Sequence, residues 1–133
     1  MKHLLFLLCL GFALASRAES INISQGIYLE QFLRINAAAR ARPVLQFANP
    51  RDEALWWQGT GYMRGILDSV VLASMHKDKA PLAYLLPENW TLEQVLLIVT
   101  KFVNEHPEKL HFHSAQIIEE ALSHAFPNPE FKG

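Results

Sequence analysis

Cysteine is nearly missing from these 133 residues: the single one, Cys9, lies in the apolar stretch at the N-terminus. Once that stretch is removed, the chain has no disulfide, no thiolate nucleophile and no cysteine ligand for a closed zinc site. A basic excess is missing too. Twelve Lys and Arg stand against thirteen Asp and Glu, which is unsuited to a general nucleic-acid surface. There is no glycine-rich phosphate loop, no strand–turn elbow around a serine, no internal repeat and no low-complexity segment. No apolar run reaches the roughly 20 residues that a membrane-spanning helix needs. What the chain does have is apolar residues, 50% of the total. Without disulfides, that fraction must hold the fold by helix packing.

The N-terminus has the layout of an export signal. Lys2 and His3 are followed by the apolar run Leu4 to Leu14 and then by small residues. Ala13-Leu14-Ala15 and Ser16-Arg17-Ala18 both fit the small-x-small rule, so the mature chain is expected to begin at Ser16 or, preferably, Glu19. A lipid anchor at Cys9 is not expected, because Leu8 precedes it where a small residue is wanted. Residues 1–18 are thus read as signal peptide, 19–127 as one helical domain and 128–133 as a frayed tail. Losing Lys2 and Arg17 leaves ten basic and thirteen acidic residues, a mildly acidic mature protein.

Within the domain the helical period dominates, and no segment reads as a convincing strand. Gly26 to about Arg40 carries Ile27, Leu29, Phe32, Leu33 and Asn36 at helical spacing, with Arg34, Arg40 and Arg42 toward the end favoured by the dipole. Asn49-Pro50 is a helix start, followed by Asp52 and Glu53 in the first turn, and the helix is expected to reach about Ser74. It contains Gly59, Gly61 and Gly65, which predict close approach of a neighbouring helix, with Gly61 and Gly65 on one face beside Tyr62 and Ile66. Met75 to Leu85 is a polar, then mixed loop, and Tyr84-Leu85-Leu86 is at most a short extended piece.

A helical hairpin follows between Pro87 and Pro127. Thr91 and Gln94 form a capping box, and Leu92, Val95, Leu96, Val99, Phe102 and Val103 make the apolar face, with Leu97 and Ile98 widening it. Pro107 disfavours helix at His106. Ser114 is placed to cap the second helix, whose stripe is Ile117, Ile118, Ala121, Leu122 and Ala125.

Candidate chemistry is sparse. His106, His111 and His113 cluster in the hairpin turn, and their expected role is to hydrogen-bond that turn; no metal or cofactor is assigned. Asp52/Glu53 and Glu119/Glu120 are sequence neighbours, so on a helix they diverge by about 100° and cannot converge on a substrate. Asp68, between apolar neighbours, is expected to pair with Arg64 one turn earlier. No catalytic residue is assigned, and the chain is not read as an enzyme. Trp56 and Trp57 cannot both face the core, and an exposed tryptophan is an effective binding anchor. Trp56 is taken as that anchor, together with His76, Lys77, Asp78 and Lys79 of the loop.

Four blocks together resemble the Rap/Tai family of immunity proteins. They are Gly61-Tyr62-x-x-Gly65-Ile66-x-Asp68, Leu86-Pro87-Glu88-x-x-Thr91-x-x-Gln94, Val103-x-x-His106-Pro107-Glu108-x-x-His111 and Ala125-Phe126-Pro127. The resemblance covers Trp57 to Pro127 and implies an all-α, small single-domain bundle of four to five helices. It also implies a periplasmic protein that binds a type VI secretion peptidoglycan amidase and blocks its active site, often as a homodimer. Family cysteines are expected where this chain has Gly59, Leu85 and Asn128, so its disulfides are missing here. The shared residues are architectural, and the partner surface is expected outside them, in the loop from Met75 to Tyr84 and the nearby helix ends. Two alternatives stay open from sequence: an accessory or scaffold protein of the same fold without a toxin, and a carrier using the apolar helix Leu92 to Val103 to hold a small ligand or lipid.

Overall fold

The computed structural model describes residues 22–76 and 82–131; the expected signal peptide and cleavage sites lie outside them. Four α-helices and one 3-10 turn make up the regular structure of the described residues, and they pack as one domain without strands. Helix α1 spans Gly26–Arg40, α2 Pro50–Met75, α3 Leu92–Glu105 and α4 Ser114–Ala125, with the 3-10 turn Pro107–His111 between the last two.

The helix ends follow local chemistry. Asn49 Oδ1 accepts from the Asp52 amide at 2.9 Å, with Pro50 at the first position of α2. The capping box of α3 closes in both directions: the Gln94 amide donates to Thr91 Oγ1 at 3.2 Å, and the Thr91 amide donates to Gln94 Oε1 at 3.0 Å. Together they satisfy two amides that the first turn leaves unpaired. Helix α3 stops before Pro107, as the sequence predicts.

The core lies where α3 meets the other helices. Val95, Leu96, Val99, Phe102 and Val103 of α3 are buried against Ile117, Ile118, Ala121 and Leu122 of α4. Leu29, Phe32 and Leu33 of α1 and Leu55, Met63 and Leu67 of α2 complete it. Each large side chain removed from water contributes about 1.5–3 kcal/mol. The apolar face of α3 is therefore consumed inside the protein, which removes the motive for a lipid-carrier reading.

Two ties join segments that lie far apart in the chain. Gln25 and His113 form an isolated antiparallel bridge, and the Ser114 amide donates to the Ser24 carbonyl at 2.7 Å. Tyr84 and Pro127 form the other, with Leu85 N–H donating to the Phe126 carbonyl at 3.1 Å. The short extended piece anticipated at residues 84–86 is thus half of a two-residue bridge.

Several expectations change. Ser114 does not cap α4: it is the first helical residue, fully buried, and its hydroxyl donates to the Ile23 carbonyl at 2.6 Å. Residue 128 is no frayed end, since Asn128 is buried and its side-chain amide donates to the Leu82 carbonyl at 2.8 Å. Gly61 and Gly65 are exposed, and a Cβ at either would meet nothing within 4 Å. Gly59 is the glycine that admits a neighbour. A Cβ there would come within 2.2 Å of the Phe32 ring, so the absence of a side chain lets α1 and α2 close on each other. Asp68 is exposed, and no ion pair joins it to Arg64 among the described residues.

Candidate functional site

The residues shared by the four sequence blocks build architecture. Tyr62, half-buried on α2, faces the start of α4; burial raises its hydroxyl pKa, and the Ala115 backbone amide partly offsets that. Pro87 precedes the turn that leads into Thr91 and the capping box. Pro107 opens the 3-10 turn. Tyr84, buried under the hairpin, has its pKa pushed up to about 12, first by burial and then by the charge of Glu119.

The hairpin histidines have separate tasks. His106 stacks on Phe102 with ring centroids 4.6 Å apart, and its Nδ1 lies 3.2 Å from Glu108 Oε1. His111 donates from Nδ1 to the Glu108 carbonyl and packs on Phe112 at 4.1 Å. His113 occupies the N-cap position of α4. His124, exposed on α4, meets Phe102 edge-on at 5.4 Å. Among the described residues, no group of three or more His, Cys, Asp and Glu side chains is arranged to hold a metal ion.

The tryptophans exchange the roles expected of them. Trp56 turns inward, where its Nε1 donates to Asn36 Oδ1 at 3.0 Å, and Asn36 also accepts from Arg40 Nε at 3.2 Å. Trp57 is 60% exposed and stands edge-on to Trp56, with centroids 4.9 Å apart. The signal that separates them was present in the sequence. Leu55, Gly59, Met63 and Leu67, the buried residues of α2, recur every four residues, and Trp57 is two positions off that stripe.

Of the loop residues, His76 is exposed at the C-cap of α2, while Lys77, Asp78 and Lys79 lie outside the described residues. The structure does show what flanks them. Leu72 and Met75, one turn apart at the end of α2, are 60% and 69% exposed. Across the loop, Leu85 is about half exposed, and Leu97 on α3 is also exposed. Two open grooves adjoin here. One is lined by Val70, Ser74, Leu85 and Trp90, the other by Trp90, Leu97, Ile98 and Phe126, and both include Pro87. Leu85 and Leu97 line these grooves, whereas Leu72 and Met75 flank the loop without lining either. Met75 belongs to the loop expected to carry the partner surface; sequence reasoning missed Leu72, and it placed Leu97 on the apolar face of α3, where the structure leaves it 66% exposed.

Residues 37–128 match the Rap1a immunity proteins, a span that runs from late α1 to the buried Asn128 and covers more than half of the chain. The chain belongs to that family. No curated protein and no solved structure matches it. As a Rap1a immunity protein it is not an enzyme, and membership implies inhibition of a cognate type VI secretion effector. The family match spans the exposed apolar surface around the loop, with the two grooves included. No described helix of this Rap1a member is long and apolar enough to cross a membrane.

Proposed function

We propose that the mature chain is a periplasmic immunity protein that binds a cognate peptidoglycan amidase effector stoichiometrically and covers its active site. The match to the Rap1a immunity proteins carries this reading. The amidase class is supported by the sequence resemblance, and the periplasmic location by the expected export signal, since peptidoglycan is cleaved in that compartment. One contact surface is the loop from Met75 to Tyr84 with Leu72, Leu85 and Leu97 beside it. Burying such apolar side chains against the toxin provides affinity, while Lys77 and Lys79 set the rate and register of encounter. Trp57, in place of Trp56, is the tryptophan available to a partner.

The test uses the mature chain and a candidate peptidoglycan amidase effector from the same genome or a competitor's. Inhibition should titrate to one immunity-protein site per toxin active site and be unchanged by chelator. Charge reversal at both Lys77 and Lys79 should weaken binding without moving the melting temperature. Clearance of excess toxin by substoichiometric protein, or loss of protection on adding chelator, would overturn an occluding mechanism.

A further inference from the structure

Charge is unevenly spread over this protein. Between Gln31 and Asp52 there are four arginines, Arg34, Arg40, Arg42 and Arg51, and one acidic residue. The other described positions hold three basic residues and ten acidic ones. The basic segment covers the second half of α1, the connector and the first turn of α2. It folds around an open groove of about 380 Å³. Ile35, Phe47 and Leu55 supply apolar lining, and Arg34, Arg42 and Arg51 line the same groove.

Arg34 and Arg42 are only partly engaged within the protein. Arg34 pairs with Glu30 at 3.1 Å and stays largely exposed, and Arg42 donates to Gln46 Oε1 at 3.3 Å. Arg40 bonds Asn36 and Glu93. An aromatic ridge continues from the groove: Phe47 lies 5.5 Å from Trp56, which carries the exposed Trp57 at 4.9 Å. Arginine and tryptophan side by side are the residue types that most often dominate binding energy.

We propose that this groove docks an acidic segment of the cognate toxin, with one apolar side chain of that segment in the groove and its carboxylates on Arg34 and Arg42. The identity of the partner rests on the toxin-binding reading above; the chemistry of the groove does not. A planar guanidinium offers a paired donor fork that matches a carboxylate. The size of the ligand follows from the charge distribution. A membrane or nucleic acid presents an extended anionic surface, and the acidic remainder of the protein would oppose it. A short segment feels mainly the local field, because at physiological salt the effect of exposed charges fades within about 8 Å.

Two arms test this. In the first, a fluorescein-labelled octapeptide of alternating Glu and Leu is titrated against the full mature chain by anisotropy, beside its Lys and Leu counterpart. The acidic peptide should bind, more weakly as salt rises, and the basic one should not. Arg34→Gln with Arg42→Gln should weaken that binding by about tenfold or more. Ala38→Phe, which fills the groove without changing charge, should weaken it as well. Equal binding of both peptides, no binding of the acidic one, or indifference to the variants would overturn the proposal. Melting curves confirm that each variant is folded; if one is not, the other carries the test.

The second arm measures inhibition of the candidate amidase effector. If wild-type protein inhibits and the double arginine variant inhibits equally well at every salt concentration, the groove is not the toxin's docking site, and the immunity reading stands. If wild-type protein does not inhibit, the immunity reading fails, and the first arm still decides what the groove binds.

Discussion

Helices α3 and α2 have similar raw material and opposite fates. Helix α3 has 14 residues, of which Val95, Leu96, Val99, Phe102 and Val103 are buried across a broad face. Helix α2 has 26 residues and buries only Leu55, Gly59, Met63 and Leu67, one residue per turn. A broad face locks a helix between neighbours. A narrow stripe lets a helix lean on the domain while most of its circumference stays in water. The hairpin therefore carries stability, and α2 carries surface, including Trp57, Leu72 and Met75.

The comparison breaks most severely at Val99, which is fully buried on α3. Val99→Asp would place an unpaired carboxylate in the core, and it should remove most of the roughly 5–15 kcal/mol that holds a domain together. Chemical denaturation reads this directly. Lys101, exposed on the same helix and weakly paired with Glu105 at 3.8 Å, should tolerate alanine within about 0.5 kcal/mol. Equal midpoints for the two variants would show that α3 is not the stability centre.

Glycines sharpen the contrast within α2. Gly59→Ala drives a methyl group into the ring of fully buried Phe32 and should cost about 1–3 kcal/mol. Gly61→Ala and Gly65→Ala meet nothing and should each stabilise by about 0.5–1 kcal/mol through helix propensity. Thermal melts of the three single variants should therefore move in opposite directions. A loss of stability at Gly61 or Gly65 would mean that another surface packs there.

A smaller effect belongs to the hairpin and depends on pH. Lys109 in the 3-10 turn donates to Glu120 of α4. That bond, helped by Gln116 and opposed by partial burial, holds the Glu120 carboxyl below its usual range. A depressed folded-state pKa contributes stability that is complete above the unfolded carboxylate value and disappears as pH falls through the folded one. Lys109→Met should therefore lower the urea midpoint at pH 7 and bring it closer to wild type in acid. An unchanged gap between the two proteins across that range would remove the pair from the stability account.

The smallest stability change is expected where the largest functional one is. Leu72→Ser and Met75→Ser alter exposed side chains at the free end of α2 and should leave the midpoint within about 0.5 kcal/mol. Toxin inhibition should fall by about tenfold for the pair if this surface is the one covered. Unimpaired inhibition would move the contact elsewhere on the molecule.

What was legible in the sequence is what neighbouring residues decide among themselves. The Asn49-Pro50 start, the Thr91/Gln94 box and the stop before Pro107 each depend on a few consecutive residues, and all appear as expected. The misreadings share a different cause. Gly59 is needed because Phe32 of another helix sits against it, and Ser114 is taken up by a carbonyl 91 residues earlier. The candidate surface suffers the same limit. Exposure of Leu72 is a statement about which helices fail to reach it, and no local pattern records that.

The tie between Ser114 and the segment around Ile23 also bears on the order of events during export. The Gly26 amide donates to the Phe112 carbonyl at 3.0 Å, and a Cβ on Gly26 would lie within 3.0 Å of two backbone carbonyls, those of Leu110 and Phe112. The first residues of the domain are therefore seated by almost the last. For a chain threaded N-terminus first through a translocation pore, as the proposed export requires, this seat does not exist until nearly the whole length has emerged. Contacts of such long sequence separation form late and slow the final closure. Helix α1, the first to reach the far side, must wait there with Phe32 uncovered, so the need for a chaperone should fall on this helix before any other.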